Sequence, residues 1–200
     1  MVSRAISSLR LRSYLALLLF AILGGAELHA ELNLSPSKED FDLDGVKLWH
    51  LTFENGTDHK ATYQPPTGWL FSGNNNELEL RPPGKSQANV IITKIDPDRA
   101  VSFAEGDRAK LKQQAIAGIP EGSLDVKVEE PQLNVLQISG KDTCLVKVSY
   151  SAFGEKFRRY FLLLNLSDGQ IRFQLTCRER DYEELVQAFQ RSLYTWQHLI

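Results

Sequence analysis

Apolar and polar residues alternate along much of this chain, most clearly towards its C-terminal end. Residues 144–150 and 171–177 carry an apolar side chain at every second position, and residues 161–164 between them are continuously apolar. A period of two is what a half-buried strand requires. Gly154 and Asp168-Gly169 lie in the short connections and are turn residues. The pattern predicts an antiparallel meander of three strands.

Two segments have the spacing of an amphipathic helix. The first follows Ser102 and Glu105, which match the S-x-x-E capping box, and ends near Gly118 and Pro120. Asp181 is the expected N-cap of the second helix. The apolar stripe of that helix consists of Tyr182, Leu185, Val186, Phe189, Leu193 and Trp196.

The middle strand of the meander sets the predicted architecture. Residues 161–164 are apolar on both faces, and such a strand needs cover on both sides. The sequence therefore predicts an α+β fold, a central antiparallel sheet with a helix on each face. Shorter strands are predicted at residues 46–53, 59–63, 77–81, 90–95, 124–128 and 133–138.

The N-terminal residues have the composition of a targeting segment. Three arginines precede an apolar run from Tyr14 to Leu23, which is shorter than the roughly 20 residues of a membrane span. This arrangement is typical of a cleavable signal peptide in residues 1–30, cut after Ala26 or Ala30, with an uncleaved N-terminal anchor as the alternative. We expect an exported protein, periplasmic or extracellular, with no stable membrane span after processing.

The rest of the chain divides into two predicted parts. Residues 31–45 are polar and acidic and are expected to form a poorly ordered lead-in. Residues 46–200 are expected to form a single α+β domain. With 23 Lys and Arg against 25 Asp and Glu, the net charge of −2 argues against a nucleic-acid partner, since phosphate contacts require a basic excess.

Cys144 and Cys177 are the two cysteines of the chain, and the default in an oxidising compartment is a disulfide. The meander argues for free thiols instead. A two-residue turn at Phe153-Gly154 and a three-residue loop at 167–169 put both thiols on one face, with Cys177 opposite Arg159. They lie two strands apart, about 10 Å across the sheet and about 13 Å along it. Because a disulfide needs Cα atoms within about 7 Å, we expect buried, unpaired thiols.

The same register gathers basic side chains on the opposite face of the meander. We call this set the basic patch: Lys147, Arg158, Tyr160, Arg172 and Arg178. One interpretation is a docking surface for an acidic protein partner or an anionic ligand. The other is a solvated rim whose arginines pair with Glu155 and Glu179.

Few residues match a known chemistry. Asp40–Gly45 has the D-x-D-x-D-G start of a calcium loop, but position 12, which should be a bidentate carboxylate, is Leu51. The histidines lack ligand spacing, and the chain has no C-x-x-C, P-loop, dinucleotide-binding glycine run or G-x-S-x-G sequence. We expect no metal, no cofactor and no enzymatic activity.

The segment Tyr63-Gln-Pro-Pro-Thr-Gly-Trp69 resembles the opening of the PsbP-like family. The order of later elements over residues 47–197 is also similar, including the F-x-x-x-L pattern at Phe189 and Leu193. The resemblance implies an α/β/α sandwich and protein binding without catalysis, as in photosystem II accessory proteins and DcrB-type envelope proteins. It implies a binding or assembly protein of the cell envelope or thylakoid lumen, with another envelope protein as partner. The alternative is a small-ligand or lipid-binding protein with a pocket between sheet and helix.

Overall fold

The computed structural model describes residues 32–54 and 60–199. These residues form antiparallel sheets and two α-helices, with most of the regular structure in strands. This confirms the predicted α+β class and its antiparallel pairing. The predicted signal peptide lies outside the described residues.

The strands follow one another along the chain with two helices between them. The first six are β1 (Ser37–Leu43), β2 (Val46–Glu54), β3 (Lys60–Tyr63), β4 (Leu70–Gly73), β5 (Glu77–Arg81) and β6 (Asn89–Ile95). Helix α1 (Arg108–Ile116) comes next. After it lie β7 (Leu124–Val128), β8 (Gln132–Leu133), β9 (Thr143–Ala152), β10 (Glu155–Leu166) and β11 (Gly169–Arg178). Helix α2 (Tyr182–Leu193) and β12 (Gln197–Leu199) complete the order.

A smaller sheet with the order β1-β2-β3-β12 joins the two ends of the described chain. Strand β1 corrects the expectation of a poorly ordered lead-in, because it pairs with β2 along its whole length. Asp44 and Gly45, with φ of 51° and 81°, make the two-residue turn between them. Leu32 and Leu34 are also buried. Strand β1 is polar because its side chains are exposed. Its pairing with the backbone of β2, rather than burial, keeps it in place.

The larger sheet has the order β4-β5-β6-β11-β10-β9-β7, with β8 paired to β9. The predicted meander β9-β10-β11 is confirmed, and so is its first turn at Phe153-Gly154. The second connection differs from the prediction. Leu166 pairs with Gly169, so the loop contains two residues rather than three. A shift of one residue moves every side chain of a strand to the other face, and β11 is reversed in this way.

The two faces of the larger sheet differ in composition. We call one the apolar face, and its buried residues are Leu78, Leu80, Val90, Ile92, Leu145, Tyr160, Leu162, Leu164, Ile171, Phe173, Leu175 and Cys177. We call the other the mixed face. It is apolar over β9 and β10, where Val146 and Phe161 lie, and polar over β5 and β11, while β6 between them contributes Ile91, Thr93 and Ile95.

The two helices contribute to different hydrophobic clusters. Leu111 and Ala115 of α1 pack with the β9 and β10 residues of the mixed face. The predicted stripe of α2 is confirmed, since Leu185, Phe189 and Leu193 are buried in the cluster of the apolar face. The smaller sheet adds its own buried residues to that cluster.

The ends of the helices are not stabilised as the sequence predicted. Helix α1 begins at Arg108 after a 3₁₀ turn, and the Ser102 hydroxyl accepts a hydrogen bond from the Ala104 N–H, so the capping box does not form. Asp181 occupies the N-cap position of α2, but its carboxylate accepts from Lys85 Nζ at 2.6 Å instead of from the helix backbone. In each case the side chain expected to cap the helix bonds instead to the preceding turn or to a residue distant in sequence.

Cys144 and Cys177 are free and buried, as predicted. The expectation that they share a face is wrong. Cys144 lies opposite Leu163, as expected, but Cys177 lies opposite Arg158 rather than Arg159. The shifted register therefore puts the thiols on opposite faces of the sheet. Burial raises the pKa of Cys144 to about 11 and the pKa of Cys177 to about 12.

Candidate functional site

The structure does not bring the five residues of the basic patch together. Lys147, Arg158 and Tyr160 lie in register on the apolar face. Arg172 lies opposite Leu163 and Arg178 opposite Phe157, which places both arginines on the mixed face. The predicted patch requires a three-residue loop after β10, and the observed two-residue loop divides its members between the two faces.

Three members of the patch are occupied by neighbours within the fold. Arg158 donates to Glu183 Oε1 at 3.0 Å, and its guanidinium lies 3.9 Å from the ring centroid of Tyr182. Tyr160 is fully buried, and its hydroxyl accepts from Gln190 Nε2 at 3.3 Å. Arg178 pairs with Glu155 at 3.3 Å. Of the pairs expected in the rim interpretation, only Arg178–Glu155 forms among the described residues, and the buried Tyr160 belongs to neither a solvated rim nor a docking surface.

Arg172 has a different environment from the other members. It lies in a row across the mixed face in which Glu77 of β5 pairs with Thr93 of β6, and Thr93 pairs with Arg172 of β11. Paired residues of antiparallel strands project from the same face of the sheet. Three neighbouring strands thus present a carboxylate, a hydroxyl and a guanidinium side by side.

A cleft of about 480 Å³ lies over this row. Glu77, Thr93 and Arg172 line it from the sheet, while Gln114 and Ala117 line it from α1 and the residue after it. We call it the Arg172 cleft, defined by Glu77, Thr93, Gln114 and Arg172. Leu111 and Ala115 of α1 pack with β9 and β10 residues of the mixed face, and Gln114 and Ala117 form the edge of the cleft on that side.

Buried polar atoms concentrate in this cleft. Within residues 32–54 and 60–199, six buried side-chain nitrogen or oxygen atoms have no hydrogen-bond partner. Three of the six are Thr93 Oγ1, Gln114 Oε1 and Arg172 Nε, which all belong to cleft residues. A buried polar group without a partner costs about 1–3 kcal/mol, so the fold leaves the polar side chains of this cleft incompletely satisfied.

Some charged residues that line the cleft have ion-pair partners, and others do not. Asp96 pairs with Arg99, and Lys94 pairs with Asp168 at 3.1 Å. Arg172 and Glu77 form no ion pair with another described residue. Burial lowers the pKa of Arg172, and the carboxylate of Glu77 opposes that shift. An arginine remains protonated nonetheless, so the cleft contains a partly desolvated positive charge.

Arg159 holds the helical wall of the cleft in place. It is 3% exposed, and its Nη1 donates to the carbonyl oxygens of Ala115 at 2.8 Å and Ala117 at 2.7 Å. Its Nε donates to Thr176 Oγ1 at 3.3 Å. A cation at the C-terminal end of a helix satisfies the last carbonyls and the helix dipole. Burial lowers the pKa of Arg159.

Sequence analysis missed both Arg159 and the cleft. The available signal for Arg159 was the Arg158-Arg159 pair in a strand, because successive side chains point to opposite faces and one arginine must point inwards wherever both faces are covered. The cleft left no such signal, since Glu77, Thr93, Gln114 and Arg172 come from four separate elements.

A second groove of about 780 Å³ lies between the segment 82–89 and the tip of the β9–β10 hairpin. It is the larger of the two, but none of its described lining residues carries a buried, unpartnered side-chain atom. Leu70 and Phe153, which line it, are 69% and 85% exposed. Its lining combines exposed apolar residues with charged ones such as Arg81 and Lys85, whereas the Arg172 cleft contains buried polar atoms without a partner.

Residues 32–54 and 60–199 contain no group of three His, Cys, Asp or Glu side chains placed to hold a metal ion. Asp42 of the calcium-like segment instead accepts the Gly45 N–H at 2.8 Å within the β1–β2 turn. In this part of the chain no helix is both long and apolar enough to span a bilayer.

Comparison with known proteins adds little to this picture. No protein-family model matches the chain, and a search of curated proteins finds no match. Among solved structures, the crystal structure of PA94, a Pseudomonas aeruginosa protein of unknown function, matches at 12% identity and a TM-score of 0.41. The match covers 79% of this chain and 94% of that chain. Similarity at this level carries no argument, so the interpretation rests on the chemistry of the cleft.

Proposed function

We propose that this chain is a binding protein that holds a small ligand with an anionic group in the Arg172 cleft. This is the small-ligand alternative of the sequence analysis, a pocket between sheet and helix. The observation that carries it is the convergence of three buried, unpartnered polar atoms, Thr93 Oγ1, Gln114 Oε1 and Arg172 Nε, on one cleft.

The charge of Arg172 favours an anion. Hydrogen bonds between a guanidinium and a carboxylate or phosphate are about twice as strong as neutral ones, and a ligand anion would supply the partner that the fold does not. The unpartnered hydroxyl and amide oxygens argue for a polar ligand rather than a lipid tail, because an apolar group would leave both unsatisfied.

The proposed domain has an α/β/α arrangement and is exported. Helix α1 lies over the mixed face, and α2 with the smaller sheet lies over the apolar face, which is supported by their separate hydrophobic clusters. The arginine-flanked apolar run before residue 30 supports export to the periplasm, the cell exterior or a thylakoid lumen. This agrees with the non-enzymatic, PsbP-like character that the sequence resemblance implies.

A second candidate function, docking of another envelope protein, is supported by the larger groove. Phe153 is 85% exposed and has a φ of 54°, a conformation that bulky residues rarely adopt. Leu70, also exposed, lines the same groove. An exposed aromatic residue kept at some backbone cost is typical of a contact surface. Phe153→Asn would relieve the backbone and reduce in-cell crosslinking to a partner, while Leu133→Asn, far from the groove lining, would not.

Calorimetry on the purified protein tests the anionic-ligand function. The probes are inorganic phosphate and a panel of small carboxylates with and without an amino group. We expect at least one probe to bind, and Arg172→Met to weaken that binding at least about tenfold. Arg178→Met is the matched control, because Arg178 lies on the same strand and face but is paired with Glu155. Absence of all binding, or equal binding by both variants, would contradict the proposal.

A further inference from the structure

We propose that the ligand of the Arg172 cleft is an α-amino acid, bound with its carboxylate on Arg172 and its ammonium group on Glu77. The inference rests on the proposed function and names the chemical class of its ligand. It is carried by a second observation, the unpaired carboxylate that shares the cleft with the unpaired guanidinium.

Glu77 and Arg172 lie two strands apart in one row across the mixed face. Glu77 pairs with Thr93 and Thr93 with Arg172, so two strand spacings, about 10 Å, separate their Cα atoms. Both side chains line the cleft, and Glu77 acts electrostatically on Arg172 without forming an ion pair with it. A ligand with both a negative and a positive group can neutralise both of these charges within the cleft.

The unpartnered atoms match the donors and acceptors of an amino acid. Arg172 Nε–H is a donor and needs the oxygen of a carboxylate. Gln114 Oε1 is an acceptor and needs an N–H, and an ammonium group has three to divide between Gln114 and Glu77. Thr93 Oγ1 lies between the two charged residues in the row and can donate to the carboxylate.

The alternative ligand classes satisfy fewer of these groups. A simple anion leaves Gln114 Oε1 without a donor and meets repulsion from Glu77. A simple cation is repelled by Arg172 and leaves its Nε–H unpaired. A sugar satisfies the hydrogen bonds but neutralises neither charge. A zwitterion is the one class of small molecule here that meets both charges and all three polar atoms.

Matched ligand pairs test the inference by calorimetry. The probes are the common L-amino acids and, for alanine, glutamate and phenylalanine, the compounds lacking only the amino group: propionate, glutarate and 3-phenylpropionate. We expect at least one amino acid to bind at least about tenfold more tightly than its deaminated partner. Glu77→Gln should remove that preference and leave carboxylate binding in place.

Glu79→Gln is the control variant for Glu77→Gln. Glu79 lies on the same strand and face, two residues along, but it is paired with Arg81 at 2.9 Å and should not influence the preference. Thermal unfolding of both variants verifies that each is folded. A second variant, Gln114→Leu, removes the amide acceptor and should reduce amino-acid binding more than carboxylate binding.

The outcomes separate this inference from the proposed function. Equal binding of amino acids and deaminated acids, with both sensitive to Arg172→Met, overturns the zwitterion and keeps the anion site. Amino-acid preference that survives Glu77→Gln also overturns it. Binding that is absent, or indifferent to Arg172→Met, overturns the proposed function itself.

Discussion

On strand β11, Phe173 and Leu175 of the apolar face are completely buried, whereas Arg172 and Gln174 of the mixed face are half-buried. The same contrast holds on β5, where Leu78 is buried and Glu77, its neighbour, lines the Arg172 cleft. The same strands therefore present one face that is packed in the core and another that lines the Arg172 cleft.

The cover of each face explains the contrast. The apolar face packs with the 12-residue helix α2 and with residues of the smaller sheet. Helix α1 has nine residues, about 14 Å of length, and packs with residues of β9 and β10. The polar residues of β5, β6 and β11 lie where this cover ends. Buried packing is thus concentrated on the apolar face, and the proposed ligand site lies on the exposed half of the mixed face.

Comparison of Phe173→Ala with Gln174→Ala should give the largest difference in stability between the two faces. Phe173 is fully buried and contacts Trp196 edge-on at 5.2 Å between ring centroids, so its truncation should lower the free energy of unfolding by about 3–5 kcal/mol. Gln174→Ala, one residue away on the mixed face, should cost less than about 1 kcal/mol. Urea unfolding monitored by circular dichroism measures both, and similar losses would show that the two faces are equally packed.

Comparison of Arg159→Met with Arg158→Met tests whether a charged residue on the mixed face stabilises the fold. Arg159 is buried and binds two carbonyls of α1, so we expect a loss of about 2 kcal/mol and weaker ligand binding as the cleft wall moves. Arg158 is paired with Glu183 at the rim, and its loss should cost no more than about 1 kcal/mol. A larger loss for Arg158 would reverse the roles assigned to these neighbours.

Arg172→Met is expected to change stability in the opposite direction. The guanidinium is partly desolvated and its Nε is unpartnered, so replacing it with an apolar side chain should raise the free energy of unfolding by up to about 1 kcal/mol. Ligand binding should be lost in the same variant. If thermal unfolding instead occurs at a clearly lower temperature, Arg172 supports the fold and is not held ready for a ligand.

The smallest expected effect is on the reactivity of the two thiols, which lie on opposite faces of the sheet. Because burial raises the pKa values of Cys144 and Cys177 to about 11 and 12, neither should react with iodoacetamide in the folded protein at pH 8, and both should react in urea. Rapid labelling of one thiol in the native protein would identify the face that opens.

The same pKa values predict the alkaline stability of the protein. An unfolded thiol releases its proton near pH 9, whereas the folded ones hold theirs to about 11 and 12. Their contribution is therefore complete below pH 9 and is lost as the pH rises above it. The urea midpoint should fall less between pH 8 and about 10.5 in the Cys144→Ala, Cys177→Ala double variant than in the wild type.

Much of the fold could be predicted from local pattern. Alternation over 144–150 and 171–177, with Gly154 in the first turn, was enough for the meander and for the correct β9–β10 register. The stripe of α2 and the free state of both thiols were also predictable. In each case the signal lies within one strand, one helix or one tight hairpin, where neighbours in sequence are neighbours in space.

The register of β11 was decided by tertiary structure. Because residues 161–164 are apolar on both faces, a shift of one residue still places Phe173 against a leucine, and the pattern is equally satisfied. Ser167-Asp168-Gly169 suits a loop of either length. Pairing with β6 settles the choice, with Gly169 so near the Ile95 carbonyl that an added Cβ would lie 2.3 Å from its oxygen.

The cleft depended on that choice and on contacts far apart in sequence. The sequence by itself determined that Glu77, Thr93 and Arg172 are polar residues in half-buried strands. Only the pairing of β5 with β6 and of β6 with β11 put them in one row on one face. Only the end of α1 left that row uncovered. Alternation fixes which residues of a strand share a face, but strand order and helix length decide what that face meets.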